Sequence, residues 1–342
     1  MTESSPFGFS GNDDHATWLA RVEEEIVEPD LPLVDAHHHL WVRDDQPYLL
    51  AEYVEDLDTG HNVVATVFAE CHSMYRRHGP AAMRPVGESE FVAGMAAMSD
   101  SGLFGPTKIC RAMIGSIDVR LGARVEPVIE AHEAASGGRF RGVRVSAAYH
   151  EGVYSPCDDP NLLADDQVRA AIDVLRVRGH VLDVWVYHSQ LEQLAELAAT
   201  FADLPIIANH TGVPVLGGPY RGRLDVAFEE WREGMTVLAA QPNVVMKLGG
   251  LPLRAKDSST EGAPATSDDI VGAWAPWVDA SIELFGPDRC FFETNFPVHK
   301  KWCSYPVLWN AFKKLSTSYS RDERTALLSA TAARIYRVEL DD

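Results

Sequence analysis

The sequence Val34-Asp-Ala-His-His-His-Leu-Trp41 spans the carboxyl end of the first predicted strand, Leu33–His38, and the residues that follow it. Successive side chains of a strand point to opposite faces, so His37 and His39 share one face while His38 points away. Two imidazoles on one face can ligate a metal ion or donate hydrogen bonds to a substrate carbonyl. The run therefore predicts a functional site where this strand ends.

Similar β-rich runs alternate with amphipathic helical segments from about residue 33 onward. Eight strands, each followed by a helix, are typical of a parallel (β/α)₈ barrel, an α/β fold known as the TIM barrel. A doubly wound open sheet is the competing fold, but its glycine-rich turn after the first strand is missing. The other predicted strands are Val63–Ala69, Thr107–Ile114, Gly142–Ser146, His180–Val186, Pro205–Asn209, Asn243–Leu248 and Cys290–Thr294.

Two further segments flank the predicted barrel. Residues 1–31 are predicted to be an N-terminal helical extension with a helix over 14–28, and residues 32–342 the catalytic barrel. Ser320 and Glu323 have the spacing of a capping box that opens a final helix to about Arg337. The polar stretch Leu253–Ser267 is either a lid at the carboxyl-terminal face of the barrel or a solvated insertion.

The net charge of the chain excludes some classes of binding partner. Lys and Arg number 30 against 50 Asp and Glu, which gives a net charge of −20. Binding to nucleic acid or to an anionic membrane surface depends on clustered cations, so neither partner is expected. The five cysteines are scattered without a C-x-x-C pair, and no secretory or membrane-spanning segment is apparent. We expect a cytoplasmic protein; whether it forms a homo-oligomer is left open.

Several other predicted strands also end in polar residues. A single polar strand end is commonly only solvated, whereas several at one rim indicate a site. Glu293 and Asn295, two residues apart, are predicted to share a face at the eighth strand end. The polar residues at these other strand ends are Glu70, Arg144, His210, Lys247, Glu293 and Asn295.

The motifs DAHHHLW, RGVR, NHTG and TNFP, in this order, resemble the amidohydrolase superfamily. Within it the chain is most similar to the lactonase-like members of the amidohydrolase 2 branch, over about residues 32 to 336. The resemblance implies a distorted TIM barrel and hydrolysis of a small cyclic ester, in the catabolism of an aromatic or sugar-derived acid. It also implies that His37, His39 and His210 occupy the family's histidine positions.

One departure from the family pattern concerns the proton acceptor. The family usually places an aspartate, as a metal ligand or general base, where this chain has Asn295. An amide cannot take a proton at neutral pH, so Asn295 can only orient a water or offer its oxygen as a ligand. The predicted base is therefore Glu293 or, as a second candidate, Glu70. A buried ion pair of Glu293 with Lys247 or Arg144 is an equal alternative.

The family's metal ligands are also incomplete, because no lysine ends the fourth strand to bridge two metals. One divalent ion held by His37, His39 and His210 fits the ligand preferences of zinc. A metal-free site is the open alternative.

The remaining predicted roles concern substrate binding and the class of reaction. Arg144 is predicted either to bind a substrate carboxylate with two hydrogen bonds or to form a structural ion pair. Trp41 is predicted to cover a flat ring, while Lys247 and Glu70 complete a pocket that admits a small carboxylated substrate. A metal-dependent decarboxylase of an aromatic acid and a catalytically silent ligand-binding barrel are the alternatives to a lactone hydrolase.

Overall fold

A computed structural model describes residues 13–43, 46–253 and 262–340. Eight parallel strands form one nearly closed sheet in the order β1-β4-β5-β6-β7-β8-β9-β10, and a short antiparallel hairpin, β2–β3, follows β1. The predicted TIM barrel is confirmed. The strands are Leu33–His38 (β1), Trp41–Arg43 (β2), Gln46–Tyr48 (β3), Val63–Ala69 (β4), Lys108–Gly115 (β5), Phe140–Ser146 (β6), Val181–Trp185 (β7), Ile206–Ala208 (β8), Val244–Leu248 (β9) and Cys290–Phe292 (β10).

Helices surround the sheet and bury their apolar faces against it, as barrel helices do. None of the helices in the described ranges combines the length and the apolar character that a membrane span needs. The α-helices are Asp13–Leu19 (α1), Leu50–Leu57 (α2), Val86–Asp100 (α3), Glu126–Ala135 (α4), Asp166–Val177 (α5), Leu191–Thr200 (α6), Leu224–Ala239 (α7), Ser267–Phe285 (α8), Tyr305–Leu315 (α9), Arg321–Thr325 (α10) and Thr331–Tyr336 (α11).

The N-terminal extension is less helical than the sequence predicts, because α1 ends at Leu19 rather than near residue 28. Later residues of the extension bond to α9 instead of to one another. The backbone amide of Val27 donates to Asn310 Oδ1, and Lys313 Nζ donates to the carbonyls of Val27 and Glu28. These tertiary bonds replace helical ones. The predicted division at residues 31 and 32 stays a prediction, and residues 254–261 of the predicted lid lie outside the described residues.

The seam between β1 and the end of β10 closes the barrel. The amide of Asn295 donates to the carbonyl of His37, and the amide of His39 donates to the carbonyl of Phe296, each over 2.8 Å. Asp35 Oδ2 also accepts a hydrogen bond from the Thr294 hydroxyl over 2.7 Å. The seam therefore places the two first-strand histidines directly beside the residues that follow β10.

The opposite end of the barrel is filled by α11. Its Tyr336 packs edge-on against Phe291 of β10 within a buried apolar cluster that includes Val34. The Tyr336 hydroxyl donates to Asp183 over 2.9 Å, and Asp183 accepts from Lys247 over 2.6 Å. Because this end is plugged, the site can open only at the carboxyl ends of the strands.

Candidate active site

His37 and His39 lie together at the mouth of the barrel, as the strand period predicts. Their Nε2 atoms are 3.2 Å apart, and the two rings are nearly perpendicular. His38 points the other way and contacts the hydroxyl of Thr66 over 2.9 Å. The prediction that His37 and His39 share an inward face is confirmed by this arrangement.

Hydrogen-bond partners fix the proton of one of these two rings. His39 Nδ1 is 2.8 Å from the carbonyl of Ala69, which can only accept, so Nδ1 carries the proton. His37 Nδ1 is 2.9 Å from Glu293 Oε2, and Arg144 Nη1 faces His37 Nε2 over 3.3 Å. Burial lowers the pKa of both histidines well below the usual value, so both rings are neutral. The Nε2 atom of His39 is therefore unprotonated and faces that of His37, whose neighbours do not fix its proton, since Lys247 Nζ donates toward Nδ1 and Arg144 toward Nε2.

Asn295 supplies a third atom at the same point. Its Oδ1 lies 3.2 Å from His39 Nε2, and its backbone has a φ of 52°. Asparagine tolerates this left-handed conformation better than most residues. The neutral amide therefore occupies the position for which the resemblance leads one to expect a carboxylate.

Glu293 joins the first-strand histidines to His210. Its Oε1 accepts from His210 Nδ1 over 2.6 Å and from the His210 backbone amide over 3.1 Å, while Oε2 faces His37. Burial alone would raise the pKa of Glu293, but His210 and His37 lower it well below its usual range. Glu293 is fully buried and does not line the pocket, so we assign it to holding the two rings rather than to meeting water.

His210 presents its other nitrogen to the pocket. It follows β8, lines the cavity, and its ring centroid is 4.9 Å from that of His37. With Nδ1 directed at Glu293, the Nε2 atom is the ring nitrogen left to face the pocket and to accept a proton. The backbone at Gly250 packs directly against the His210 ring, because a Cβ on residue 250 would lie 2.2 Å from His210 Nδ1. Glycine at this position therefore leaves room for the ring.

Arg144 is already paired in this site. Its Nε donates to Glu70 Oε1 over 2.8 Å and its Nη2 donates to the Glu70 carbonyl over 2.6 Å. The donor pair that would bind a substrate carboxylate is thus occupied, and the predicted role of Arg144 as a carboxylate clamp does not agree with the structure. The alternative, an ion pair with a neighbouring acid, does agree. Both side chains line the pocket.

Lys247 does not reach the pocket. It is fully buried, pairs with Asp183 over 2.6 Å and lies 3.2 Å from His37 Nδ1. The prediction that it binds substrate is therefore wrong in position. It lies beneath His37, between that ring and the residues that fill the far end of the barrel.

The cavity over these histidines has a volume of about 330 Å³. Trp41 lines it, as predicted, but its ring is stacked on His39 with the centroids 5.4 Å apart. The sequence analysis missed several lining residues, of which Arg43 could have been found by alternation from Trp41. Ser146 ends strand β6 and could have been found in the same way from Arg144, whereas Ser116, Asp118 and Arg120 follow strand β5 without a periodic signal. The missed polar lining residues include Arg43, His72, Ser116, Asp118, Arg120, Ser146 and Tyr154.

Two sets of possible metal ligands share His37. One adds His210 and Glu293, and the other adds His39 and Asn295. Ligand atoms of His37, His210 and Glu293 all lie within 4.8 Å of one another. The contacts of 2.6 and 2.9 Å within that set are hydrogen-bond distances. Ligands 2.0–2.1 Å from a tetrahedral zinc ion are about 3.3 Å apart. The spacing of 3.2 Å between the two Nε2 atoms, and from His39 Nε2 to Asn295 Oδ1, fits that value.

Comparison with known proteins identifies relatives of this chain and the family to which it belongs. The chain is 30% identical to the uncharacterized protein y4mH of Sinorhizobium fredii, over 90% of this chain and 99% of the relative. It is 26% identical to an L-fucono-1,5-lactonase of Burkholderia multivorans, over 89% of this chain and 95% of the relative. A crystal structure of a zinc-bound amidohydrolase from Burkholderia multivorans superposes with a TM-score of 0.69 at 24% identity, covering 90% and 99% of the two chains. The amidohydrolase family model matches residues 34–338, so the chain belongs to the amidohydrolase family.

Proposed function

We propose that this protein is a lactone hydrolase that opens a small cyclic ester at the mouth of its barrel. The observation that carries the proposal is the His210–Glu293 pair, which anchors one ring nitrogen of His210 and leaves the other to face a pocket beside His37 and His39. The lactonase named among the relatives supports the same reaction. A cytoplasmic location stays a prediction.

The proposed steps use His210 as the proton carrier. His210 Nε2 takes a proton from a water as the water oxygen bonds to the lactone carbonyl carbon. The carbonyl oxygen becomes an oxyanion, to which an Arg144 N–H that is not used by Glu70 can donate from the pocket wall. The ring C–O bond then breaks, and the proton held by His210 passes to the departing alkoxide. The product is an open-chain hydroxy acid, which balances one lactone and one water.

A divalent cation fits the three converging atoms His37 Nε2, His39 Nε2 and Asn295 Oδ1. Assigning the His37 proton to Nδ1, toward Glu293, leaves two Nε2 lone pairs facing each other, and a cation between them would remove their repulsion. Such an ion would supply Lewis-acid polarisation of the lactone carbonyl. Its ligands carry no negative charge of their own, so we expect its affinity to be modest.

We expect Asn295→Asp to raise the affinity for zinc about tenfold or more, because a carboxylate replaces a neutral oxygen at the same position. The measurement is a calorimetric titration of chelator-treated protein with zinc. Asn161→Asp, which adds the same charge at an exposed site, is the matched control and should leave the affinity unchanged. Equal affinity in Asn295→Asp and wild type would remove Asn295 from the set of ligands.

The function itself is tested with a panel of γ- and δ-lactones, including L-fucono-1,5-lactone, in a pH-stat. We expect base consumption that is proportional to enzyme and exceeds spontaneous hydrolysis. Release of carbon dioxide from hydroxylated benzoic acids, with no lactone opened, would identify the decarboxylase alternative instead. Binding of hydroxy acids without turnover of either class would identify a silent ligand-binding barrel.

A further inference from the structure

Arg43 is a pocket cation that the proposed steps do not use. It ends strand β2, and its guanidinium carbon lies 3.8 Å over the ring of Trp41. Its Nη2 donates to the carbonyl of Cys71 over 2.7 Å. No carboxylate among the described residues forms an ion pair with it, and it lines the same cavity as His39. Arg43 therefore brings a positive charge and spare N–H donors to the pocket.

The other two arginines of the pocket are neutralised. Arg144 is paired with Glu70 over 2.8 Å, and Arg120 with Asp158 over 2.9 Å. A charge that its surroundings leave uncompensated at a concave site is best satisfied by a ligand of opposite sign. Asp118 also lines the pocket, where its Oδ1 accepts from the backbone amide of Arg120. Arg43 is thus the lining arginine without a carboxylate partner among the described residues, and it favours an anionic ligand group beside it.

The position of Arg43 relative to the reacting atoms is fixed by stacking. His39, Trp41 and Arg43 alternate along one face, with Trp41 stacked on His39 at an interplanar angle of 17° and Arg43 over Trp41. A guanidinium held on an aromatic face has lost much of its conformational freedom, so it is prepared to bind a carboxylate. The stack sets this charge one ring beyond the histidine at the reaction centre.

We infer that Arg43 binds a carboxylate on the lactone and so selects acidic lactones over neutral ones. This inference deepens the proposed function and rests on it for the identity of the reaction. Arg43 thus takes the role of binding a substrate carboxylate, which the sequence analysis predicts for Arg144.

The test uses two carboxylated lactones, 5-oxotetrahydrofuran-2-carboxylate and 3-(5-oxotetrahydrofuran-2-yl)propanoate, each paired with its neutral carboxamide. In Arg43→Gln we expect KM for at least one carboxylate to rise about tenfold to hundredfold, because a charge-assisted pair is lost. Its kcat and the KM of its carboxamide should stay within about threefold of wild type. Arg43→Lys, which keeps the charge but loses the planar fork, should give an intermediate KM and serves if the glutamine variant misfolds. Arg77→Gln removes the same charge at an exposed position and should change nothing.

Direct binding separates this inference from the reaction. The product of the first lactone, 2-hydroxyglutarate, is titrated calorimetrically into wild type and Arg43→Gln. If lactones are hydrolysed but carboxylates and carboxamides respond alike to Arg43→Gln, the inference is overturned and the hydrolase stands. If no lactone is opened but 2-hydroxyglutarate binding weakens at least tenfold in Arg43→Gln, the anion site stands and the hydrolase proposal fails. No effect of Arg43→Gln on either measurement overturns the inference.

Discussion

Replacing His210 with asparagine is expected to lower kcat for lactone hydrolysis by about 10²- to 10⁴-fold, the range typical for loss of a positioned general base. The side-chain amide of asparagine can still donate to Glu293 where Nδ1 does now over 2.6 Å. It lacks the Nε2 atom that faces the pocket, so the substitution removes the proton acceptor and keeps its anchor. KM should change little, because no binding contact is assigned to His210.

The measurement is steady-state kinetics on the best lactone of the panel, with circular dichroism to verify the fold. His78→Asn, which removes an exposed histidine outside the pocket, is the matched control and should keep wild-type kcat. A His210→Asn variant with kcat within threefold of wild type would show that another group takes the proton from water.

Replacing Glu293 with glutamine is expected to lower kcat by about 10²- to 10⁴-fold, as when the group that orients a catalytic histidine is made neutral. The glutamine oxygen can still accept from His210, which leaves its NH₂ group facing His37 Nδ1. That nitrogen must then accept, so the proton of His37 moves to Nε2, toward His39. Loss of zinc binding should accompany the loss of activity, because one of the converging lone pairs is gone.

Glu70→Gln provides the comparison, since it neutralises the other carboxylate of the site. Kinetics and zinc titration of both variants distinguish the two residues. We expect the fall in kcat to be larger for Glu293→Gln than for Glu70→Gln, and zinc affinity to be unchanged in the latter. The reverse order would make Glu70, whose Oε1 is paired with Arg144, the proton acceptor.

Much of the barrel could be predicted from the sequence because buried parallel strands are apolar and regularly spaced. Strands β1 and β4 have the predicted bounds, and the other six barrel strands differ from the prediction by one or two residues at an end. The hairpin β2–β3 was missed, since each strand has three residues and one contains Pro47. Such short pairings depend on tertiary contacts more than on local preference.

The sequence predicted several of the residues that meet at the mouth of the barrel, but not the rest of the pocket lining. The strand period placed His37 and His39 correctly because β1 extends to His38. Strand β10 ends at Phe292, yet Glu293 contacts His37 and Asn295 contacts His39, so both side chains turn toward the first-strand histidines. Which acid pairs with Arg144 depends on folds of the chain between β4 and β6, and no local pattern encodes it.

The chain of buried contacts from α11 to His37 has a consequence for mutational studies of this barrel. In TIM barrels, residues at the carboxyl ends of the strands govern activity and those at the opposite face govern stability. Here the hydroxyl of Tyr336 holds Asp183, Asp183 holds Lys247, and Lys247 lies 3.2 Å from His37. Substitutions of Tyr336 or Asp183, at the closed end of the barrel, are therefore expected to change turnover as well as stability.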